Sequence, residues 1–291
     1  MKVNQLFNKH QVISFEVFPP RQKSPSIDFS RIYGTMDALS QLDPDFVSVT
    51  FGAGGSKRQA GTLEIASLIK SEYGIEPVAH LPASQLTGAE VDELLDQFAT
   101  HGIQNILALR GDIPKSGRVA NDFVHANDLV AHICASGHDF NVIGACYPEC
   151  HPEASDLDAD IAHLKLKVGA GANQLISQLF FDNQVFYDFV AKCRAAGITV
   201  PIEAGIMPVL NQHQIQRMAQ MSGVSLPEKF TAMMSRYEGN PIAMRDAGIA
   251  YAIDQIIDLL VHGVDGIHIY TMDNPTVAAR IVQATRSLVR A

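Results

Sequence analysis

The segment Asn105-Ile-Leu-Ala-Leu-Arg-Gly-Asp112 decides the fold class, because a short apolar run passes directly into a charged tripeptide. This pattern is typical of a buried strand that ends at a polar, exposed edge. It recurs along the chain and predicts eight strands: Val12–Phe18, Phe46–Phe51, Pro77–Leu81, Ile103–Leu109, Val142–Tyr147, Gln174–Phe181, Pro201–Met207 and Gly266–Thr271. Helix-like stretches separate most of them. Eight alternating units of this kind predict an α/β fold, a (β/α)8 TIM barrel, whose active site lies at the C-terminal ends of the strands.

The connection between the last two predicted strands is unusually long. It has room for three helices, over Gln212–Met221, Leu226–Tyr237 and Pro241–His262. The prediction is therefore a barrel with extra helices between strands 7 and 8. Residues 1–291 are expected to form one catalytic barrel domain, since α/β barrels commonly reach this length.

Charge and hydropathy exclude several classes of protein. The net charge of −9 argues against a broad nucleic-acid-binding face. No apolar run reaches the roughly 18 residues that span a bilayer, and the N-terminus is too polar for a signal peptide. Four cysteines do not make a disulfide framework in a chain of 291 residues. We expect a cytoplasmic protein that binds small molecules and neither nucleic acid nor a membrane.

Glu16 is the first candidate for chemistry. It lies in Ser14-Phe-Glu-Val-Phe-Pro-Pro20, where strand alternation places Ser14, Glu16 and Phe18 on one face. A carboxyl group inside a barrel and flanked by phenylalanines is poorly solvated, which favours its neutral form and makes it a candidate general acid. The alternative is a structural glutamate paired with an arginine or lysine of the barrel.

Three further segments carry polar groups at predicted strand ends. Arg110-Gly-Asp112 offers fixed donors, a close backbone approach and a carboxylate, although an Arg–Asp pair that closes a loop is the alternative. Gln178 lies in an apolar run and has to find hydrogen-bond partners, in a ligand or in the core. Cys146, Cys150 and His151 are close in sequence, but without a CxxC pair we expect ligand contacts there and no metal site.

Together these motifs resemble the short bacterial type of methylenetetrahydrofolate reductase. The matching segments occur in the same order over nearly the whole chain: 14–20, 46–52, 79–81, 108–112, 147–153, 165–173, 178–182, 205–208 and 268–272. The resemblance implies a barrel that binds FAD and takes electrons from NADH or NADPH in a ping-pong reaction. Methylenetetrahydrofolate is then reduced to 5-methyltetrahydrofolate, the methyl source for methionine synthesis. It also implies a homo-oligomer.

The resemblance assigns roles to individual residues. Glu16 corresponds to the general acid, and Asp112 to a carboxylate beside the flavin and the folate. Cofactor contacts are implied for Thr50, Phe51, Ala53, His80, Arg110, Gly111, Asp112, His125, Ala126, Tyr147, His151, Ala154, Asp160, His163 and Lys167. Substrate contacts are implied for Gln178, Gln214, Tyr270 and Asn274.

Several positions depart from the family pattern. Leu166 stands where an arginine often holds the flavin diphosphate, and His163 stands where an asparagine is common. His125 replaces a tyrosine near the flavin, and Asn274 stands where a basic residue is common. These differences bear on ligand affinity more than on the reaction.

Two other functions fit a barrel of this type. One is a methyltransferase that acts on methyltetrahydrofolate, which would need a corrinoid partner or a zinc–thiolate site. The other is a folate- or flavin-binding subunit without catalytic activity.

Overall fold

Eight parallel strands form a closed barrel in sequence order, which confirms the predicted fold class. The computed structural model describes residues 1–19, 30–51, 59–111, 120 and 122–289. The strands are β1 (Val12–Val17), β2 (Phe46–Val49), β3 (Glu76–Pro82), β4 (Asn105–Leu109), β5 (Asn141–Cys146), β6 (Gln174–Ser177), β7 (Ile202–Ile206) and β8 (Gly266–Tyr270). The barrel closes through β1 and β8, where Ser14 pairs with His268 and Glu16 with Tyr270.

Helices follow the strands and pack on the outside of the barrel. They are α1 (Ser30–Ser40), α2 (Gln59–Tyr73), α3 (Gly88–Thr100), α4 (Ala126–Ala135), α5 (Leu157–Gly169), α6 (Asn183–Ala195), α7 (Gln212–Ser222), α8 (Glu228–Arg236), α9 (Pro241–Val261) and α10 (Pro275–Val289). The three predicted helices between the last two strands are thus confirmed as α7, α8 and α9. Within the described part of the chain, no helix has the length and apolar character needed to cross a membrane.

Strand alternation divides the apolar residues into two layers. Residues such as Phe15 and Val17 point outward and pack under the helices in the main core. Inside the barrel, one side chain from each of six strands forms a second layer: Val12, Phe46, Val78, Leu107, Ile143 and Ile176. A short 3-10 helix, Val3–Asn8, closes the N-terminal end of this layer with Val3 and Leu6. The described residues therefore fill the interior at its N-terminal end, which leaves the C-terminal end for a ligand site.

A belt of fully buried polar side chains crosses the barrel interior. Its members are Asn105, Asn141, Gln174, Glu203, Ser14 and His268, each with 0% exposure. Asn141 Nδ2 donates to Asn105 Oδ1 at 3.1 Å and to Gln174 Oε1 at 3.4 Å. Because buried polar groups are costly without partners, these hydrogen bonds fix which side chains face one another.

The sixth strand is shorter than predicted. The sequence indicated a strand over Gln174–Phe181, but β6 ends at Ser177. The apolar residues beyond it belong to a separate cluster under α7 and α8, where the rings of Phe181 and Phe230 stack at 4.3 Å. Gln178 therefore lies after the strand, in the turn at the C-terminal rim.

Candidate active site

A cavity of about 880 Å³ opens at the C-terminal rim of the barrel, between the ends of β2 to β5 and α5. This volume lies in the upper part of the range for small-molecule sites. The lining is mixed: Phe51, Leu109 and Tyr147 supply apolar surface, while Arg110 and Lys167 supply cations.

The residues predicted to contact a cofactor converge on this cavity. Of those that the structure describes, all line it: Thr50, Phe51, His80, Arg110, Gly111, His125, Ala126, Tyr147, His151, Ala154, Asp160, His163 and Lys167. They come from positions as far apart in sequence as 50 and 167, so only the closed barrel brings them together. Ala53 and Asp112 lie outside the described residues.

Helix α5 presents one face to the cavity. Asp160, His163 and Lys167 are spaced by three and four residues and therefore lie on the same side of the helix. The helix begins where the Asp156 side chain accepts a hydrogen bond of 2.8 Å from Ala159 N, a regular N-cap. Lys167 Nζ donates to Ala145 O at 2.6 Å, and burial lowers the pKa of this lysine. Gly144 leaves room for the lysine, because a Cβ there would come within 2.7 Å of Lys167 Cδ.

An arginine and a histidine are held in defined orientations at the mouth of the cavity. Arg110 forms a two-point ion pair with Glu153, with Nη2 and Oε1 separated by 2.7 Å, and this pairing lowers the pKa of Glu153. His151 Nδ1 accepts a hydrogen bond from Glu153 N at 3.1 Å, and burial lowers its pKa. Neutral His151 therefore carries its proton on Nε2 and can act as a donor.

Gly111 turns the chain at the rim immediately after Arg110. Its φ of +84° lies in the left-handed region that favours glycine. An added Cβ would also lie 2.8 Å from Pro82 Cβ, so the close backbone approach indicated by the sequence depends on glycine here.

Glu16 lies beside the inner end of the cavity and is only 8% exposed. Its Oε2 is 3.6 Å from Nε2 of His80, which lines the cavity, and 3.9 Å from Nε2 of His268. Burial lowers the pKa of His80 to about 4, so this histidine is neutral at pH 7. Among the described residues, the basic side chains that the structure places within 4.0 Å of Glu16 are these two histidines, with no arginine or lysine. The alternative of a structural Glu–Arg or Glu–Lys pair therefore has no support in this part of the chain.

Of the residues predicted to contact substrate, Tyr270, Gln178 and Asn274 have described side chains, and these do not line the cavity. Tyr270 is the strand partner of Glu16 and donates its hydroxyl to Ser177 O at 2.7 Å. Gln178 accepts a hydrogen bond from Leu179 N at 2.9 Å through Oε1. Asn274 accepts one from Val277 N at 3.3 Å and so contributes to the start of α10. The side chain of Gln214 lies outside the described residues.

The turn after β8 brings a further carboxylate towards Glu16. Met272 and Asp273 both have positive φ, +51° and +53°, which is a strained pair for non-glycine residues. This turn lets Asp273 accept a hydrogen bond of 3.0 Å from Phe18 N, just beyond β1. Burial raises the pKa of Asp273.

The cysteines and histidines at the rim do not come together. Over the described ranges there is no group of three or more His, Cys, Asp or Glu residues placed to hold a metal ion. Cys146 is buried, and desolvation raises its thiol pKa well above the usual value, which disfavours the thiolate needed for a zinc site.

The sequence model of one protein family, described as methylenetetrahydrofolate reductase, matches residues 2–286. The chain belongs to this family. A 5,10-methylenetetrahydrofolate reductase of Pectobacterium carotovorum subsp. carotovorum is 38% identical over 261 residues, which cover 90% of the chain and 85% of that protein. The protein of the same name from Escherichia coli (strain K12) is 37% identical over 262 residues and is covered to 86%.

The plant members of the methylenetetrahydrofolate reductase family are longer. Methylenetetrahydrofolate reductase (NADH) 1 of Arabidopsis thaliana is 37% identical over 274 residues, but the chain spans less than half of it, 46%. Among solved structures, a Clostridium thermocellum protein described as binding two copies of 5-methyl-5,6,7,8-tetrahydrofolic acid superposes with a TM-score of 0.65. It covers 99% of this chain and is matched over 100% of its own length, at 14% identity, so the likeness concerns the fold alone.

Two polar residues near Glu16 were assigned no role from the sequence of this reductase-family chain. His268 on β8 approaches Glu16 directly, and Glu203 on β7 lies two hydrogen bonds beyond His268, through Ser14. Strand alternation could have indicated both, because His268 shares a face with Tyr270 and Glu203 with Gly205. Their contact with β1 could not be found without the register of the closed barrel.

Proposed function

We propose that the chain reduces 5,10-methylenetetrahydrofolate to 5-methyltetrahydrofolate, with FAD as cofactor and NADH or NADPH as electron donor. Membership of the methylenetetrahydrofolate reductase family supports the reaction. The convergence of the described cofactor-contact candidates on one rim cavity carries the proposal for FAD, because all of them, from positions 50 to 167, line the same cleft.

The residues of the cavity fit a flavin dinucleotide. A dinucleotide needs a long cleft with apolar surface for its rings and donors for its diphosphate. Phe51, Leu109 and Tyr147 offer the former, while the Gly111 backbone, Arg110 and Lys167 offer the latter. His80 Nε2 is buried without a hydrogen-bond partner among the described residues, as expected of a polar atom next to a ligand site.

Bound FAD would supply the hydride chemistry, and the chain would supply binding, orientation and a proton. Glu16 is the proposed general acid: its carboxyl group would protonate the folate amine whose bond to the methylene carbon breaks. Glu16 is only 8% exposed, and its neighbour His80 is neutral at pH 7.

We propose a ping-pong order for this reaction. The electron donor and the folate would bind in turn next to the rim cavity, which Glu16 approaches through His80. Gln178 and Tyr270, at the ends of β6 and β8, would contact the folate on the side away from the cofactor candidates.

An anaerobic titration tests the cofactor, the order of binding and the substrate in one experiment. The visible spectrum of purified protein supplemented with FAD is recorded, then NADH is added, and then methylenetetrahydrofolate. We expect flavin bands that NADH bleaches and that the folate restores. NADPH in place of NADH identifies the preferred donor.

The remaining functions give different results in this titration. Protein that stays colourless with FAD would favour the methyltransferase acting on methyltetrahydrofolate. A flavin spectrum that neither reductant nor folate changes would favour a binding subunit without activity. Either result would refute the proposed reductase.

A further inference from the structure

A line of hydrogen bonds connects Glu203 with the surroundings of Glu16. Ser14 Oγ is 2.6 Å from Glu203 Oε2 and 2.7 Å from His268 Nδ1. The other nitrogen of this ring, Nε2, is buried without a hydrogen-bond partner among the described residues and lies 3.9 Å from Glu16 Oε2. The two carboxyl groups are thus the ends of one path through a hydroxyl and an imidazole.

The hydroxyl of Ser14 has a single hydrogen, so its two contacts depend on each other. When Glu203 is ionised, Ser14 donates to it and His268 donates to Ser14 from Nδ1, which leaves a lone pair on Nε2 facing Glu16. When Glu203 is protonated, it donates to Ser14, Ser14 donates to Nδ1, and the proton of His268 sits on Nε2. The protonation of Glu203 therefore selects the histidine tautomer that Glu16 faces.

We propose that Glu203 is a positioning residue that exchanges a proton with Glu16 through Ser14 and His268. This inference rests on the proposed role of Glu16 as general acid. Glu203 acts only through the hydrogen-bonded path, so it touches neither the substrate nor the cofactor.

In each proton transfer along this path, one bond to hydrogen breaks and one forms. Once the O–H bond of Glu16 has broken and the folate amine has gained the proton, Glu16 is a carboxylate that accepts from His268 Nε2–H. That proton moves to Glu16, the hydroxyl proton of Ser14 moves to Nδ1, and the carboxyl proton of Glu203 moves to Ser14 Oγ. The negative charge has then passed from Glu16 to Glu203. A hydronium ion from solvent then protonates Glu16 as the proton of Glu16 passes back along the path to Glu203, which restores both carboxyl groups and leaves a water molecule.

The gap between His268 and Glu16 has to shorten for this transfer. At 3.9 Å it exceeds a hydrogen bond by about 1 Å, which a small side-chain movement or one bridging water would close. Both atoms are buried and face each other across neighbouring strands, so the required movement is local.

Within the described part of the chain, the charged and titratable groups around the path are the following. Glu203 faces Ser14 on β1, Gln174 on β6 and His268 on β8, and the carboxylate of Asp45 acts on it from a greater distance. Glu16 faces His80 on β3, His268 and Tyr270 on β8, and Asp273 in the following turn. Burial raises the pKa of Glu203 to about 7, the range in which a group can both give and take a proton at neutral pH.

The test measures the tautomer of His268 by ¹⁵N NMR on purified protein labelled at histidine, between pH 5.5 and 8.5. We expect the Nε2–H form at low pH and the Nδ1–H form at high pH, with the change near the pKa of Glu203. In Glu203→Gln, the amide oxygen accepts from Gln174 and the amide nitrogen donates to Ser14, so the Nε2–H form should persist throughout. An unchanging tautomer in the wild type, or a His268 imidazolium over the whole range, would overturn the proposal.

Two further variants separate this coupling from damage to the barrel. Asn141→Ala removes a side chain of the same buried belt that lies outside the path, and it should keep the wild-type change of tautomer. Ser14→Ala breaks the path while retaining Glu203, and it should abolish the change. If Asn141→Ala also abolishes it, the effect is structural and the proposal fails.

A kinetic measurement connects the path to the reaction. In Glu203→Gln, position 203 no longer ionises, so the pH profile of folate reduction should lose the change that the wild type shows near the pKa of Glu203. Flavin reduction by NADH should be unchanged, since it needs no proton from Glu16. An unchanged pH profile would refute the link to Glu16. A protein that reduces no folate would refute the proposed function alone, since the NMR result does not depend on it.

Discussion

At the scale of single residues, Glu16 carries the proposed chemistry. Glu16→Gln keeps the size of the side chain but removes the transferable proton. We expect folate reduction to slow by about 10² to 10⁴, the usual contribution of a general acid, while NADH still reduces the flavin at a rate close to that of the wild type. Stopped-flow measurement of the two half-reactions separates these steps. Glu93→Gln, an exposed position on α3, is the matched control. Equal slowing of both half-reactions would show that Glu16 has another role.

Leu166 gives a second prediction at this scale. It lines the cavity mouth yet is 60% exposed, and the resemblance to the family implies an arginine at this position. Leu166→Arg would add a cation to a site that already contains Arg110 and Lys167. We expect FAD to bind roughly tenfold more tightly, since a charge-assisted hydrogen bond contributes about 1.5–3 kcal/mol and part of this is lost to solvent screening.

The dissociation constant of FAD, measured by quenching of flavin fluorescence, checks this expectation. Val261→Arg is the control, because Val261 is 78% exposed on α9 and does not line the cavity. It makes the same change in net charge. If both variants bind FAD equally well, the gain is a general effect of charge and Leu166 does not lie beside the diphosphate.

The sequence could predict Glu16 but not its partners. Glu16 lies in a strand whose alternation is clear, and a carboxylate on the inward face is conspicuous. Glu203 lies in a strand that was predicted only as an apolar run, Pro201–Met207, and its contact is with Ser14, 189 residues away. Which strands are neighbours follows from the closed barrel, but which side chains meet depends on register, here Gly205 opposite His268 and Ser14 opposite His268.

At the scale of helices and strands, Gly248 determines how closely α9 approaches the barrel. A Cβ at this position would lie within 2.8 Å of the Val209 carbonyl carbon and closer still to its oxygen. Val209 follows β7 at the rim, so α9 packs directly on backbone there. Gly248→Ala should push the helix outward and destabilise the protein by about 1–3 kcal/mol, the usual cost of overpacking. Chemical denaturation of the variant measures this loss.

Gly34 supplies the matched control for the same substitution. It is exposed within α1, and a Cβ there would meet nothing within 4 Å among the described residues. Gly34→Ala should therefore stabilise the protein, by up to about 1 kcal/mol, because alanine has the higher helix propensity. If both variants are stabilised, α9 has room to move away from Val209 without cost.

Periodicity predicted the helices better than the ends of the strands. Val91, Leu94, Leu95 and Phe98 are buried on one face of α3, and their spacing is typical of an amphipathic helix. The predicted end of β6 was wrong because Leu179 and Phe181 continue the apolar run beyond the last paired residue. These two side chains are apolar because they pack under α7 and α8. An apolar run in a sequence indicates which residues are buried, but it does not indicate the residue at which strand pairing ends.

At the scale of the whole molecule, two buried groups in the barrel make stability depend on pH in opposite directions. Burial lowers the pKa of His80 from 6.5 to about 4, so the folded state binds fewer protons than the unfolded state between these values. Stability then falls as the pH drops through this range. Burial raises the pKa of Glu203 from 4.5 to about 7, so the folded state binds more protons there, and stability falls as the pH rises. Between about pH 4.5 and 6.5 the two effects oppose each other.

Glu203→Gln removes one of these effects and leaves the other. The variant should gain stability relative to the wild type as the pH rises from 4.5 through 7, by about 3 kcal/mol in total, because each pKa unit corresponds to about 1.4 kcal/mol. Urea denaturation of both proteins at several pH values between 4.5 and 8 gives this difference directly, and surface carboxylates shared by the two proteins cancel. Asn141→Ala should differ from the wild type by a constant amount over the same range. A constant difference for Glu203→Gln would mean that Glu203 ionises in the folded barrel as readily as in the unfolded chain. In that case Glu203 would hold no proton at neutral pH that could be transferred to Glu16.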